Sequence, residues 1–517
     1  MEAPAVYHLV QSLSKAEKRF FRLFSESVGG KGQMGYLFLF DVLEGMPQYD
    51  EELLGEQVTG QSFEKHISTT RNRLFNQILR SQRVLNAGRS VDSQLRTVLE
   101  EVELLYQRTL YKAAEKKIRK SLKLAQQFEK ESMVLELLDW QWRLNQKYGI
   151  DVQKKALEKH LSAHSACLER IAEQNHLKYQ FERARMLVRL MPNPRKEEER
   201  QSYEDILAHP ALAAAPSSER VLASIYFQLS HSLCRMAVGD PEQAYHHLVS
   251  AQEIWEVHPT FIAEYTDLYL ASINIFANVL FMVPERLTEF PELIAKMRNV
   301  PRLEPDILIQ IEWVTYHHEL IYAMNFRRPE ETTELAQTIS TWISKSGERI
   351  PPANVLGFYY NFAAFFFVQG TWEEANRWVI RILHFPEGPE RQDIRDFARL
   401  FQTILQYEMG NYDLNEYLVR STYRYMTRNR RYHTFEKAIL RMINRSLQAT
   451  DEQAQMNEVL QFQEKVVGMM QSEDGKQLLG LREVYLWSMA RLQKKPIQVI
   501  FQEILQVNQE AGPSEEA

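Results

Sequence analysis

The sequence predicts an all-α protein, an α-solenoid of about nine or ten stacked helical hairpins behind a small helical N-terminal domain. Three observations carry this reading. Apolar residues recur three and four apart along almost the whole chain. Short alternating Val/Ile/Thr runs bounded by Asn-Gly or Asp-Gly, the mark of hairpin strands, are missing. Turn signals fall near Thr109, Gly149, Pro192, Gly239, Val283, Phe326, Gly370, Gly410, Thr450 and Lys494, at spacings of roughly 40 to 47 residues, the range of two-helix repeats. A hairpin of that size cannot bury its own apolar face, so neighbours must stack.

Composition agrees with a folded chain and excludes several classes. With 517 residues, 44% hydrophobic and 25% charged, the chain exceeds one compact core and calls for several domains or an elongated array. A formal charge of -6 is small for this length and speaks against a general nucleic-acid coat. Cys167 and Cys234 are the only cysteines and stand far apart, which offers no disulfide framework and fits a reducing compartment. The opening "MEAPAVYHLV" predicts no secretory signal. The most apolar stretch, residues 355–368, is about 14 long where a bilayer needs about 20, so no membrane association is expected.

Taken in order, residues 1–92 form the small domain. "SLSKAEKRFFRLF", "GYLFLFDVLEGMPQYDEELL" and "SFEKHISTTRNRLFNQILRSQRVL" predict three or four helices, the last opening at an N-capping Ser62. Residues 93–508 form the array. Its first unit carries Leu99, Val102, Leu105 and Tyr106 on one stripe and Ile118, Leu122 and Ala125 on another. Residues 509–517 make an acidic tail predicted to be disordered.

Several hairpins share residues at matching places. Gly370 is followed by Trp372 and Ala375, Gly239 by Pro241 and Ala244, and Gly410 by Tyr412, with Asn415 in the Ala position; Tyr111 and Ala114 fit the same places earlier. A glycine at the turn accepts positive φ, and a small residue one turn into the second helix permits close helix approach. With Ala363, Phe366, Gly370, Trp372 and Ala375 in order, "YYNFAAFFFVQGTWEEANRWVIRIL" resembles tetratricopeptide-type repeats. The first 90 residues, with "SLSKAEKR", "YLFLFD", "YDEE" and "LFNQILRS", resemble the N-terminal segment of long helical-repeat proteins from Bacteroidota. That resemblance implies a bacterial, cytoplasmic protein and carries no activity.

Motifs for chemistry are sparse. Gly30, Gly32 and Gly35 match a dinucleotide fingerprint in letters alone, with no preceding strand, and read as a loop. His160 and His164 share a helical face, with Cys167 nearby, yet zinc asks for three or four such ligands. The pairs His246/His247 and His317/His318 point to different sides of their helices. No nucleophile–base spacing is readable. The expectation is therefore no enzyme, no cofactor and no metal.

Two basic stretches stand out. Residues 61–90 carry Lys65, Arg71, Arg73, Arg80, Arg83 and Arg89 against Glu64. Residues 419–445 carry Arg420, Arg424, Arg428, Arg430, Arg431, Lys437, Arg441 and Arg445 against Glu436, interleaved with Tyr423, Tyr425 and Tyr432. Arg420, Arg424, Arg428 and Arg431 form one helical stripe that suits phosphates or an acidic protein patch, the alternative being a solvated face. The tyrosines add surfaces for base stacking.

A second pattern comes from the repeats. Nine residues before Gly239, Val283, Phe326 and Gly370 stand Ser230, Asn274, His317 and Asn361. In tetratricopeptide repeats this place faces the concave groove, so the resemblance implies a polar ladder for an extended peptide, flanked by Tyr316, Tyr360 and Phe367. The alternative is that these groups satisfy one another inside the array. The expected function is a non-enzymatic scaffold that binds a protein or peptide in the groove. The alternative is a regulator whose basic N-terminal domain contacts nucleic acid while the repeats bind a partner.

Overall fold

The structure is a computed structural model that describes residues 3–28, 33–190, 194, 197–217, 219–300, 305–386, 388, 391–429, 431–472 and 478–510. Gly30, Gly32, Pro192, Arg430 and residues 511–517 of the tail lie outside the described residues. Among the described residues the chain is helical throughout, without a strand. It divides into two compact units, Met1–Ala172 and Glu173–Ala517.

The first unit holds α1 (Ala3–Ser12), α2 (Lys15–Val28), α3 (Gln33–Gly45), α4 (Glu51–Val58), α5 (Ile67–Leu85), α6 (Val91–Gln107), α7 (Tyr111–Gln127) and α8 (Glu131–Asn145). It also contains the start of α9 (Ile150–Leu190). Helices α1, α2 and α3 pack on α5 around Val10, Phe21, Leu39, Phe40, Leu74 and Ile78. Among the described residues the first 90 thus give five α-helices rather than three or four. Ser62 caps nothing: a 3-10 turn, Glu64–His66, intervenes and α5 begins only at Ile67.

A separate core joins α6, α7 and α8 through Leu95, Val102, Ala114, Ile118 and Leu137. At its edge the buried Glu131 carboxylate accepts from Arg170 Nε at 2.8 Å and Nη2 at 3.0 Å, and from Cys167 Sγ at 3.1 Å. Burial, with Glu131 adding to it, pushes the Cys167 thiol up to about 12, so it is inert. Glu131→Ala is expected to cost about 3 kcal/mol, since it strands a partly buried guanidinium. A loss in urea unfolding no larger than that of an exposed Glu→Ala control would show that the pair is dispensable.

The second unit continues with α10 (Glu197–Leu207), α11 (Val221–Ala237), α12 (Pro241–Val257), α13 (Pro259–Glu264), α14 (Thr266–Leu280), α15 (Phe290–Arg298) and α16 (Pro305–Phe326). Then come α17 (Pro329–Ser346), α18 (Pro352–Val368), α19 (Trp372–Leu383), α20 (Gln392–Glu408) and α21 (Tyr412–Arg428). The last are α22 (Thr434–Gln448), α23 (Glu452–Gln471), α24 (Leu481–Gln493) and α25 (Ile497–Glu510). Sequence neighbours pack on one another, and α11, α14, α16, α18, α20 and α22 also touch in succession. That order is broken where α24 and α25 both reach back to α18. Among the described residues no helix is long and apolar enough to cross a membrane.

One backbone device recurs at the turns. Thr109, Glu129, Gly239, Gly370, Gly410 and Lys494 all have positive φ, between 51° and 90°. At Gly239 the glycine N–H donates to Met236 O at 3.3 Å and the next N–H, of Asp240, donates to Arg235 O at 2.9 Å. The second bond repeats from Leu110 to Leu105, Lys130 to Ala125, Thr371 to Phe366, Asn411 to Gln406 and Lys495 to Ala490, at 2.8–3.0 Å. This Schellman pairing satisfies helix-end carbonyls and sets the exit direction of the chain.

Five residues after the turn, Ala114, Ala244, Ala375 and Asn415 are all fully buried. Among the described residues neither amide atom of Asn415 has a hydrogen-bond partner. Asn415→Ala is therefore expected to raise stability by about 1 kcal/mol, a rise in melting temperature that scanning calorimetry would register. A lower melting temperature would mean that the amide is engaged.

The aromatic two residues after the turn is less uniform. Trp372 packs on Phe367 at 5.3 Å, whereas Tyr412 is 55% exposed. The rhythm also fails once, between Gly149 and the expected turn at Pro192. Residues 150–190 contain neither Gly nor Pro, and they form the single 41-residue helix α9 where a hairpin was expected.

Candidate functional site

The ladder positions do fall on successive helices, α11, α14, α16 and α18. Ser230 has no exposed surface and its Oγ donates to Tyr226 O, one turn back, at 2.6 Å. Asn274 is half-buried, and its Oδ1 accepts from His318 Nε2 at 2.9 Å. His317 lies edge-on to Phe358 at 6.1 Å. Burial, followed by the charge of Arg391, lowers the His317 ring to about 4. Tyr316 packs on Trp342 at 5.3 Å.

On α18, Asn361 is half-buried and Tyr360 lies 6.1 Å from Phe397. Burial, with the Glu483 carboxylate next, lifts the Tyr360 hydroxyl well above its usual range. Phe367 is fully enclosed between Trp372 and Phe401 at 5.3 and 4.8 Å. Ser230 and Phe367 are accordingly packing residues and offer a peptide nothing. Counting from the turn gives the register along a helix, but not which side another helix covers. Here α24 and α25 pack against α18, and Arg482 Nη2 donates to Asn325 Oδ1 at 2.9 Å.

The basic stretches separate in the same way. Arg71 Nη2 reaches Glu51 Oε1 at 2.6 Å and is mostly covered. Arg73, Arg80 and Arg83 are exposed and, seven and three apart, share a face of α5. On α21, Arg420 bonds Glu416 at 3.1 Å and leaves the stripe. Arg424 and Arg428 line instead a cavity of about 800 Å³, together with Arg431, which falls beyond the end of α21 and so off the expected helical stripe, and Arg395 and Arg399 of α20.

This pocket has an ordered frame. Arg395 donates to Phe385 O at 3.0 Å and Pro386 O at 2.7 Å, pinning the chain after α19. Arg431 grips Asp396 at 2.9 and 3.1 Å. Tyr425 OH donates to the same carboxylate at 3.2 Å and accepts from Gln392 Nε2 at 3.1 Å. The Arg399 guanidinium lies over the Tyr425 ring at 4.1 Å. Among the described residues, Arg399, Arg424 and Arg428 have no carboxylate partner, and none of the residues lining the cavity is acidic. The contribution of α20 was partly visible, since Arg395 and Arg399 are four apart in "QDIRDFARLFQ". Which helix faces α21 is set by tertiary packing.

The histidines have structural surroundings. His160 stacks on Trp142 at 5.5 Å, and His164 lies 3.8 Å from Asp139. Cys167 is committed to Glu131, so the three do not gather on one ion. His247 stacks on His231 at 4.7 Å, and its Nδ1 bonds Gln228 Oε1 at 2.6 Å. No family model, curated protein or solved structure matches this chain.

Proposed function

We propose that this chain is a non-enzymatic binding protein, an α-solenoid of extended tetratricopeptide-like hairpins that docks an acidic segment of a protein partner in the arginine pocket beside α20 and α21. The observation that carries the reading is three arginines in one concave site that have no carboxylate partner among the described residues. The recurring Schellman turns and the packing of alternate helices support the solenoid. With Ser230 and Phe367 enclosed and α18 covered by α24 and α25, docking shifts from the ladder to this pocket. Two free, buried cysteines and the N-terminal resemblance support a reducing bacterial cytoplasm.

Fluorescence anisotropy with a labelled Glu-rich peptide tests the reading. The full chain is expected to bind it in a salt-sensitive way, and Arg424→Glu with Arg428→Glu to weaken binding by about tenfold or more. Equal binding of a neutral peptide of the same length, or no effect of the double reversal, would refute the pocket's role.

The exposed face of Arg73, Arg80 and Arg83 favours a second reading, contact of α5 with nucleic acid. Full-length protein would then bind a DNA duplex at low salt, and the triple Ala variant would lower the salt slope. Absence of binding at low salt removes this reading.

A further inference from the structure

We propose that the arginine pocket is built for a phosphorylated side chain of the partner, a phosphomonoester dianion rather than a carboxylate. This rests on the acidic-segment reading above and sharpens it.

The charge of the cavity is one-sided. Five arginines line the cavity, and Asp396 is the one carboxylate bonded to any of them among the described residues. Clustered like charges weaken a fold unless an anion joins them. A carboxylate brings one charge and two acceptor oxygens. A phosphomonoester brings nearly two charges and three acceptor oxygens, so one group can serve several guanidinium forks.

The guanidinium forks are also preorganised. Arg399 is laid flat on Tyr425, and Tyr425 is itself held by Gln392 and Asp396. The Nε atoms of Arg395 and Arg399 are buried without a partner among the described residues. The stack fixes the plane of the Arg399 fork, and a fixed fork suits a tetrahedral oxyanion better than a mobile ammonium would. Arg424 and Arg428, one turn apart on α21, are exposed and complete the wall.

The cavity's size points the same way. About 800 Å³ is far more than a lone phosphate ion fills and lies in the usual range of ligand pockets. Ile382, Leu383 and Phe385 add an apolar flank where the residues around the phosphate can rest. Arg395 and Arg431 hold the walls while Arg399, Arg424 and Arg428 remain for the ligand. That division of labour fits Arg-cluster recognition of a phosphorylated motif.

Isothermal titration of the full chain separates the possibilities. One short acidic host peptide is used in three forms, with phosphoserine, Glu or Ser at its centre, beside a single-stranded oligonucleotide of equal charge. The phosphoserine form is expected to bind about tenfold or more tighter than the Glu form, in keeping with the greater strength of charge-assisted bonds. Arg399→Lys, which keeps the charge and loses the fork, should erase that preference, and Arg424→Ala should weaken the phosphoserine form most. Equal affinity of the phosphoserine and Glu forms overturns the phosphate assignment and leaves the acidic-segment reading standing. Failure of every peptide overturns both. Tighter binding of the oligonucleotide than of the phosphopeptide also overturns the assignment. Unchanged melting temperatures of the two variants show that any loss is not unfolding.

Discussion

Gly480→Ala should destabilise the second unit by about 4 kcal/mol, the sum of a backbone and a packing cost. Gly480 precedes α24 with φ +84°, a conformation that costs an L-residue roughly 1–2 kcal/mol. An added Cβ would also fall inside the Phe397 ring. That ring has little freedom to retreat. It is 3% exposed and packs on Phe401 at 5.1 Å and Phe435 at 6.3 Å. Overpacking of such a site costs roughly 1–3 kcal/mol more. Gly410→Ala is the control, because Gly410 has similar positive φ, +72°, with open space around its Cα. Its cost should stay near 1–2 kcal/mol. Urea unfolding of both variants measures the difference, and equal losses would mean that Phe397 yields freely. The close approach matters because it seats α24 next to α20, in the same core as Trp487.

The contrast between those two glycines shows what was legible in the sequence. A turn glycine announces itself by its place in a rhythm, and Gly239, Gly370 and Gly410 all carry the left-handed backbone their positions ask for. The small residue five positions later is equally readable, because it sits one turn into the second helix, where the hairpin's two helices meet. Thr109, Glu129 and Lys494 adopt the same conformation without glycine, so the motif is wider than its sequence signature. Gly480 lies outside the rhythm, and its constraint comes from a ring over 80 residues earlier in the chain.

The candidate site divides along the same line. The stripe was visible only in part: Arg420 is lost to Glu416, Arg431 lies beyond the end of α21, and Arg399 is gained from α20. The ladder was visible as a register, but covering by α24 and α25 depends on contacts more than 100 residues apart. Helical periodicity states which residues share a face. It does not state what that face meets.

Buried histidines should make the second unit lose stability on mild acidification. Burial, then the neighbouring His231 and Arg235, lowers the His247 ring to about 4; burial, then Arg391, lowers His317 to about 4. Burial also lowers His231, and it holds His318 well below its usual range. In the unfolded chain these rings bind protons near pH 6.5. The unfolded state therefore takes up protons that the folded state refuses, and acid favours unfolding. The stabilisation is complete above about pH 7, drains away as pH falls through 6.5 toward 4, and changes little from this source below about 4.

His317 alone accounts for a loss on the order of 3 kcal/mol over that window. The half-buried His247 adds a loss of the same sign. The rings cannot escape by pairing when protonated. His318 Nε2 already donates to Asn274, its Nδ1 has no partner among the described residues, and the charged group that acts on His317 is Arg391, a cation. Denaturant midpoints at pH 7, 6 and 5 should fall steadily for the native chain. They should fall less for His317→Gln with His318→Gln, in which the amides can keep the bond to Asn274 without titrating. An equally steep fall in the double variant would place the acid sensitivity elsewhere.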